Sequence, residues 1–527
     1  MKQTHTRPPV RFLKKKRVPR AEVFVKPNNI FLPENIYNKE ASTDTSAIAS
    51  TTPDMSFEKR CLYCGEVNNS ENYTCDCIPE EWFNEYRILD VKPVITSKEK
   101  LLLRQSFYDY RFDHPDGIVQ YYGVPFRAYY PKGLEPVGMT PLYYLPHLSD
   151  QYGIKTFIKN EGHNPSGCFK DRETLLTLLN TRRRGLRHAV IYSSGNAAAS
   201  AAIFAQKLNM QLITFVAGDT YPEKINFIRD HGSDVVVIGD EQTNFETGFR
   251  LFARLNSRNV FSENNFDNWS VRNPYRVHGD KTTAIEIVKQ LSGDDANCTV
   301  PDYVVVPTAN GSGLAGIWKG FQELYALGLI SKLPKMISAG IARANPVFQA
   351  VRKKQTQIPE RCDLTKVDPE DASIGSTILA EEGYDSIEAA KAVLHSGGLA
   401  VAVNNSDVKL VLRDFLEQEE DIALKNSILP EPASLISIAA IEKMSQHINL
   451  APDNIVVSII TGHGLKAQEM MEQLLPEKQI LHQRIAKIIE TKRGDIAKKA
   501  ISKGRRKNVP ADFDAIAAVF RELKIED

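Results

Sequence analysis

The chain has 527 residues, 42% of them hydrophobic and 25% charged, with 66 Lys and Arg against 65 Asp and Glu. This is enough chain for two or more compact domains, and a net charge of +1 leaves no electrostatic footprint for nucleic acid. No run reaches the roughly 18 apolar residues of a membrane span, no apolar segment near Met1 has the form of a secretory signal, and seven cysteines fit a reducing compartment better than a disulfide framework; a cytoplasmic protein is expected.

Residues 1–58 read as a flexible tail. Eight basic residues and no acid lie between Met1 and Ala21, including LKKKR at Leu13–Arg17, followed by a Ser- and Thr-rich stretch poor in apolar residues. The basic run is consistent with a solvated tail, a docking patch or an organelle-targeting peptide. Residues 59–80 contain CLYCGEVNNSENYTCDC, with Cys61, Cys64, Cys75 and Cys77. A C-x-x-C turn followed by glycine aims two thiolates at one point, and a second close pair completes a tetrahedral structural zinc site. The second pair is C-x-C, so reduced free cysteines are the competing reading.

Residues 81–475 are taken as the core, and from about Tyr121 to Leu475 short β-branched runs alternate with helix-length segments: HAVIYSS, QLITFVAG, DVVVIGD, DYVVVPT, MISAGIA, LAVAVNN and NIVVSIITG. Nearly continuous apolar strands between helices predict parallel sheets covered on both faces, hence an α/β protein of two units, the smaller at about 190–290. Residues 476–527 are expected to form a basic, amphipathic helical extension.

Four strand-to-helix junctions carry chemistry-bearing residues, in the place where parallel sheets collect ligands. In NPSGCFKDRETL, Pro165 and Gly167 shape a turn after the strand KTFIKNEG, and a helix is predicted to begin near Lys170, with Asp171 and Arg172 available to pair in its first turn. The positive helix end lowers a lysine pKa, as an imine-forming amine requires; an ordinary first-turn lysine is the bland alternative. In YSSGNAAASAA, Ser193, Ser194 and Asn196 precede an Ala-rich helix, and one N-cap would not need three polar residues. The turn Ala309, Asn310, Gly311, Ser312, Gly313 precedes another helix, where backbone amides cradle a phosphate; it lacks the G-K-[ST] of a P-loop and the acidic ribose ligand of a dinucleotide fold. A late strand ends at Thr461 in SIITGHGLK, and Glu431–Pro432 begins a helix just before it. A lysine, two anion-binding helix starts and a strand-end hydroxyl together suit pyridoxal 5′-phosphate (PLP).

The segments NPSGCFKDR, SSGNAAASAA, NPYRVHGDKT, GSGLAGIWKGF, EPAS and TGHGLK occur in the order seen in threonine synthases, and GMTPLYYLP at Gly138–Pro146 resembles that family's early motif. The likeness spans roughly Cys61 to Lys466 and extends to relatives such as cysteate synthase. It implies the fold-type II (tryptophan synthase β-like) PLP architecture: two three-layer αβα domains, here with a cysteine knuckle in front and a helical extension behind. It implies that Lys170 carries PLP through an imine, that Asn196 bonds the cofactor's ring oxygen, that Ala309 to Gly313 hold its phosphate and that Thr461 faces the pyridine nitrogen. Ser193 and Ser194 would hold the substrate carboxylate and Arg276 a second substrate anion. The implied activity is elimination and replacement at the β or γ carbon of an O-phosphorylated amino acid, such as O-phosphohomoserine to threonine, in a homodimer. Replacement on O-phosphoserine, another dehydratase or lyase, and a non-catalytic PLP sensor are the alternatives. His278 stands where the family usually has Glu, and Cys168 where it has Ser or Thr.

Overall fold

The computed structural model describes residues 55–68, 73, 75–77, 87–293, 297–355, 361–374, 378–475, 479–497 and 503–522. The basic and Ser/Thr-rich segments expected of the tail lie outside the described residues.

Two short strands, β1 (Phe57–Cys61) and β2 (Leu89–Pro93), pair antiparallel at the head of the molecule. Then follow β3 (Leu142–Tyr144), β4 (Lys155–Asn160), β5 (His188–Tyr192), β6 (Gln211–Ala217), β7 (Asp234–Ile238) and β8 (Phe266–Asn268). The later strands are β9 (Tyr303–Pro307), β10 (Lys335–Ile341), β11 (Leu399–Val403), β12 (Ile455–Ile460) and β13 (Arg506–Val509). They form a six-stranded sheet in the order β11-β10-β9-β12-β4-β3 and a five-stranded sheet in the order β13-β7-β6-β5-β8. All pairings are parallel except that of β3, an edge strand antiparallel to β4.

The apolar runs become strands because both their faces are buried: Val304, Val305 and Val306 are 0–1% exposed, as are Val456 and Val457. Helices cover the sheets. Pro432–Ser445 lies across β9, β10, β11 and β12, and Ser312–Ala326 packs on β9 and β10. The latter helix also crosses Tyr275–Ser292 in the largest helix–helix contact of the fold. A Cβ on Gly316 would stand 2.6 Å from the Val277 carbonyl, so only glycine permits that approach.

The C-terminal extension contains the expected helices, Gln479–Ala497 and Phe513–Glu522. Between them the chain adds β13 to the edge of the small sheet, in register with Val235 to Ile238 of β7. Four residues, three of them polar, carry no strand periodicity of their own, and pairing with β7 supplies it.

Candidate active site

Loops leaving the carboxyl ends of β4, β5, β9 and β12 line one cavity of about 550 Å³. Lys170, Ser193, Ser194, Asn196, Arg276, Ala309, Asn310, Gly311, Ser312, Gly313 and Thr461 all border it.

The turn before Lys170 is stitched to the turn after β12. Phe169 donates its backbone N–H to the Thr461 carbonyl at 2.9 Å, and His463 donates to the Gly167 carbonyl at 2.8 Å. The helix Lys170–Arg183 begins as expected, but Asp171 and Arg172 do not pair with each other. The Asp171 carboxylate turns back to accept from the Ser166 N–H at 2.7 Å, the Ser166 hydroxyl at 2.5 Å and the Ser200 hydroxyl at 2.6 Å. Arg172, fully buried, forks between Glu161 and Glu286 with four bonds of 2.7–2.8 Å. Lys159 donates to Glu286 at 2.6 Å, and the Met139 and Thr140 N–H groups donate to it at 2.8 and 3.1 Å. Two buried cations and two buried carboxylates thus bind the Gly138–Thr140 turn to the helix that begins with Lys170. Adjacent residues of a helix point in different directions, and each finds its own partner.

The Lys170 side chain, 18% exposed, reaches the cavity. Its ammonium donates to Glu173 Oε1 at 2.7 Å, stands 3.4 Å from the Ser312 hydroxyl and lies 4.3 Å from the centre of the Phe169 ring. Glu173 was not anticipated. Its Oε1 also accepts from Ser312 at 2.9 Å, and its Oε2 accepts from Arg276 Nε at 2.9 Å and Nη2 at 2.5 Å. Burial favours the neutral carboxyl, but Arg276 and Lys170 outweigh it and hold the group at about 2. Asp280 is a second unexpected acid. Neither of its oxygens has a hydrogen-bond partner among the described residues, and burial, with Glu173 nearby, pushes its carboxyl well above the usual range. Spacing carried a signal for both: Glu173 is three residues after Lys170 and Asp280 four after Arg276, each pair on one helix face.

Asn196 opens the helix Asn196–Lys207 and donates to both Glu431 oxygens at 3.2 Å. The Thr461 and Ser434 hydroxyls are 2.8 Å apart. Ser193 Oγ accepts from the Gly195 N–H at 3.2 Å. Gly311 has φ +104°, and a Cβ there would meet that of Ala389 at 2.5 Å. A Cβ on Gly195 would meet nothing within 4 Å, so this side of the cavity is open for a ligand. The residues present fit PLP: a primary amine, a glycine turn opening a helix, a hydroxyl pair at a strand end, and the buried Arg276 Nη1 donor that has no hydrogen-bond partner among the described residues.

The two departures from the family pattern lie outside the cavity lining. His278 is buried, with Nε2 3.2 Å from the Gly123 carbonyl and its ring edge-on to Phe57 of β1 at 5.2 Å. Burial, then Lys281, pushes its pKa well below the usual range. Cys168 is fully buried, its sulfur 3.2 Å from the Ser166 hydroxyl.

The Cys61, Cys64, Cys75 and Cys77 thiols lie within 4.8 Å of one another. Sγ–Sγ distances are 3.4 Å for Cys61–Cys77, 3.8 Å for Cys64–Cys75 and 3.4 Å for Cys75–Cys77. Four thiolates at 2.3 Å from one zinc would be about 3.8 Å apart, so the cluster has the dimensions of such a site.

Residues 134–462 match the family described as "Pyridoxal-phosphate dependent enzyme". The chain belongs to that family of fold-type II PLP enzymes and is a PLP-dependent lyase. Within it, the chain belongs to the threonine synthase-like group. It is 30% identical to a threonine synthase of Methanocaldococcus jannaschii over 421 residues, 77% of this chain and 92% of that protein. It is also 30% identical to a threonine synthase of Methanosarcina acetivorans over 368 residues, 68% of this chain and 84% of that protein. Among solved structures, the processed form of threonine deaminase isoform 2 from Solanum lycopersicum superposes with a TM-score of 0.52 at 19% identity, over 72% of this chain and 94% of that one. An L-serine ammonia-lyase from Rhizomucor miehei gives 0.50 at 21% identity, over 64% and 98%. At these identities the two structures share the fold alone. No helix among the described residues is long and apolar enough to cross a membrane.

Proposed function

We propose that the protein converts an O-phosphorylated amino acid by elimination and replacement at its β or γ carbon, with O-phosphohomoserine to threonine as the first reaction to test. The observation that carries this reading is the convergence of Lys170, Asn196, the Ala309–Gly313 turn and Thr461 on one cavity. In this reading Lys170 holds the carbonyl carbon of PLP, Asn196 its ring oxygen, Ala309, Asn310, Gly311, Ser312 and Gly313 its phosphate, and Thr461 its pyridine nitrogen. PLP, when bound, supplies an electron sink for the charge left on the substrate's α-carbon.

The chain's own groups do the rest. The Lys170 amine, once free, takes the α-proton and returns it, and a lysine at a helix start is suited to that exchange. Ser193 and Ser194 receive the substrate carboxylate beside the first amides of the Asn196–Lys207 helix. Arg276 presents its Nη1 edge, the one left without a hydrogen bond, to the substrate's phosphate. The thiol cluster holds a structural zinc, since four thiolates leave no open position for catalysis. We take residues 81–475 as the catalytic core behind the 59–80 knuckle, with 476–527 as an added extension, and a cytoplasmic homodimer as the working unit.

The test is to offer O-phosphohomoserine, O-phosphoserine, serine and threonine and to follow phosphate, ammonia and keto-acid release. Phosphate and threonine from O-phosphohomoserine are expected. Phosphate release from O-phosphoserine alone would move the reading to β-replacement, ammonia from serine or threonine to a dehydratase, and a static spectral shift without product to a sensor.

A further inference from the structure

One carboxylate buried behind the cavity wall is bonded to three groups with three different assignments. Glu173 is 2% exposed and accepts from the Lys170 ammonium (2.7 Å), the Ser312 hydroxyl (2.9 Å) and the Arg276 guanidinium (2.9 and 2.5 Å). In the reading above these are the cofactor's amine, a hydroxyl of the phosphate cradle and the arginine for a substrate anion. A surface helix would place such a glutamate three residues after a lysine to no greater end than a weak ion pair. Here the pair is buried, and the acceptor is shared with a hydroxyl on another helix and a guanidinium on a third.

An acid is the wrong charge for a phosphate cradle. A dianion brought to Ser312 meets a carboxylate already bonded to that hydroxyl, with the Asp280 carboxyl in the same wall. Two like charges at one site cost free energy unless one withdraws or is neutralised. Ser312 has a single hydroxyl proton, which is committed to Glu173. Arg276 in turn has two of its N–H groups engaged by Glu173, and Nη1 is 4.0 Å from Asp385.

We infer that Glu173 is an internal anion that holds the Ser312 hydroxyl from behind the phosphate cradle and must give it up before a ligand's phosphate is bonded there. The Glu173 carboxylate keeps Arg276 as its partner when it withdraws, so the same movement frees the hydroxyl and loosens the ion pair that ties down Lys170. Phosphate capture and release of the reactive amine are thereby one event. The cavity admits phosphorylated ligands at a reduced affinity, and it does not expose an unpaired lysine ammonium when no anion is bound. The inference rests on the reading of the Ala309–Gly313 turn as the phosphate cradle.

The test is equilibrium binding, read by absorbance, of PLP and of pyridoxal, which lacks the phosphate, to the full chain stripped of cofactor. Glu173→Gln is uncharged and nearly isosteric. It should bind PLP roughly ten- to hundredfold more tightly than wild type, the range of one charged hydrogen bond, while pyridoxal, which gains only from the freed Lys170 amine, improves by a smaller factor. Inorganic phosphate alone should bind the cofactor-free variant at correspondingly lower concentration than it binds wild type. Where the melting curve of Glu173→Gln shows a disrupted fold, Glu173→Asp decides: it keeps the charge but is one methylene too short to span Lys170 and Ser312, and it should also favour PLP over pyridoxal more strongly than wild type does. An equal gain for PLP and pyridoxal would place Glu173 on the lysine alone and overturn the inference. So would an unchanged preference for PLP over pyridoxal in a folded variant. No preference for PLP over pyridoxal in any of the proteins would instead remove the cradle reading itself.

Discussion

Arg276 enters the cavity wall with its charge already matched by Glu173, and this shapes what a substitution there does. Lysine would retain the charge but cannot make both guanidinium bonds to Glu173 or offer a third N–H in the same plane. Arg276→Lys is therefore expected to weaken phosphorylated substrates by about 1–3 kcal/mol in kcat/KM while leaving cofactor absorbance intact; equal kinetics on a phosphorylated substrate would take Arg276 out of the site. Lys170 sits at the other end of the same carboxylate. Borohydride reduction of the native protein should fix the pyridoxyl group on Lys170. Lys170→Ala should hold PLP through its phosphate without the imine band and should lose nearly all turnover, because the covalent hold and the proton carrier leave together. A pyridoxyl label recovered on another lysine would contradict that assignment. His278 and Cys168, by contrast, have partners in the packing around the site and do not face the cavity.

At the scale of elements, the C-terminal segment does more than extend the chain. β13 closes the β7 edge of the small sheet, and the helix Phe513–Glu522 covers it. Phe520 stacks on Phe215 and meets Phe261 and Phe266 at ring-centre distances of 6.0, 5.5 and 5.2 Å. Val509, Ile516 and Val519 are buried beside it. Removing one such ring leaves a cavity, so Phe520→Ala is expected to cost about 3–5 kcal/mol of stability, read as a shift of the urea midpoint. A midpoint that does not move would mean that this segment is not docked in solution. The strand itself was illegible in Arg506–Val509, since its hydrogen-bond partner lies more than 260 residues earlier in the chain. β3 and β8, three residues each, were illegible for a related reason: a period of two cannot be read from three residues.

Over the whole molecule, head and tail are tied to the catalytic sheets. The helix Gln479–Ala497 is anchored beside the large sheet's helices by Arg484, bonded to Glu420 at 2.6 Å and to the Leu416 carbonyl at 2.7 Å, before β13 joins the small sheet. At the head, Asp90 of β2 accepts from Lys319 at 2.6 Å, on the helix that begins at Ser312. Arg87 bonds Asp385 at 2.5 Å and also pairs with Glu388. Loss of a metal from the thiol cluster would therefore loosen contacts to both the Ser312–Ala326 and Ser386–His395 helices. Elemental analysis is expected to find about one zinc per chain, and Cys64→Ser should lose it together with thermal stability. A metal-free wild type of full stability would sink the zinc reading.

The sequence by itself determined the class of fold, the chain order of the longer parallel strands and the loops that line the cavity. These are local matters: β-branched runs, glycine turns and helix starts carry their own signals over five to fifteen residues. Tertiary structure alone decided which polar groups meet. Whether Arg172 would bond Asp171 or Glu286 depends on where a helix more than a hundred residues later is packed. Glu173 reads in isolation as an acid complementing a helix start. It becomes the shared partner of a lysine, a serine and an arginine only because β9 and the helix Tyr275–Ser292 bring Ser312 and Arg276 to the same point. A buried charge must be met by whatever the fold places within about 3 Å of it, and no local pattern in the chain encodes that choice.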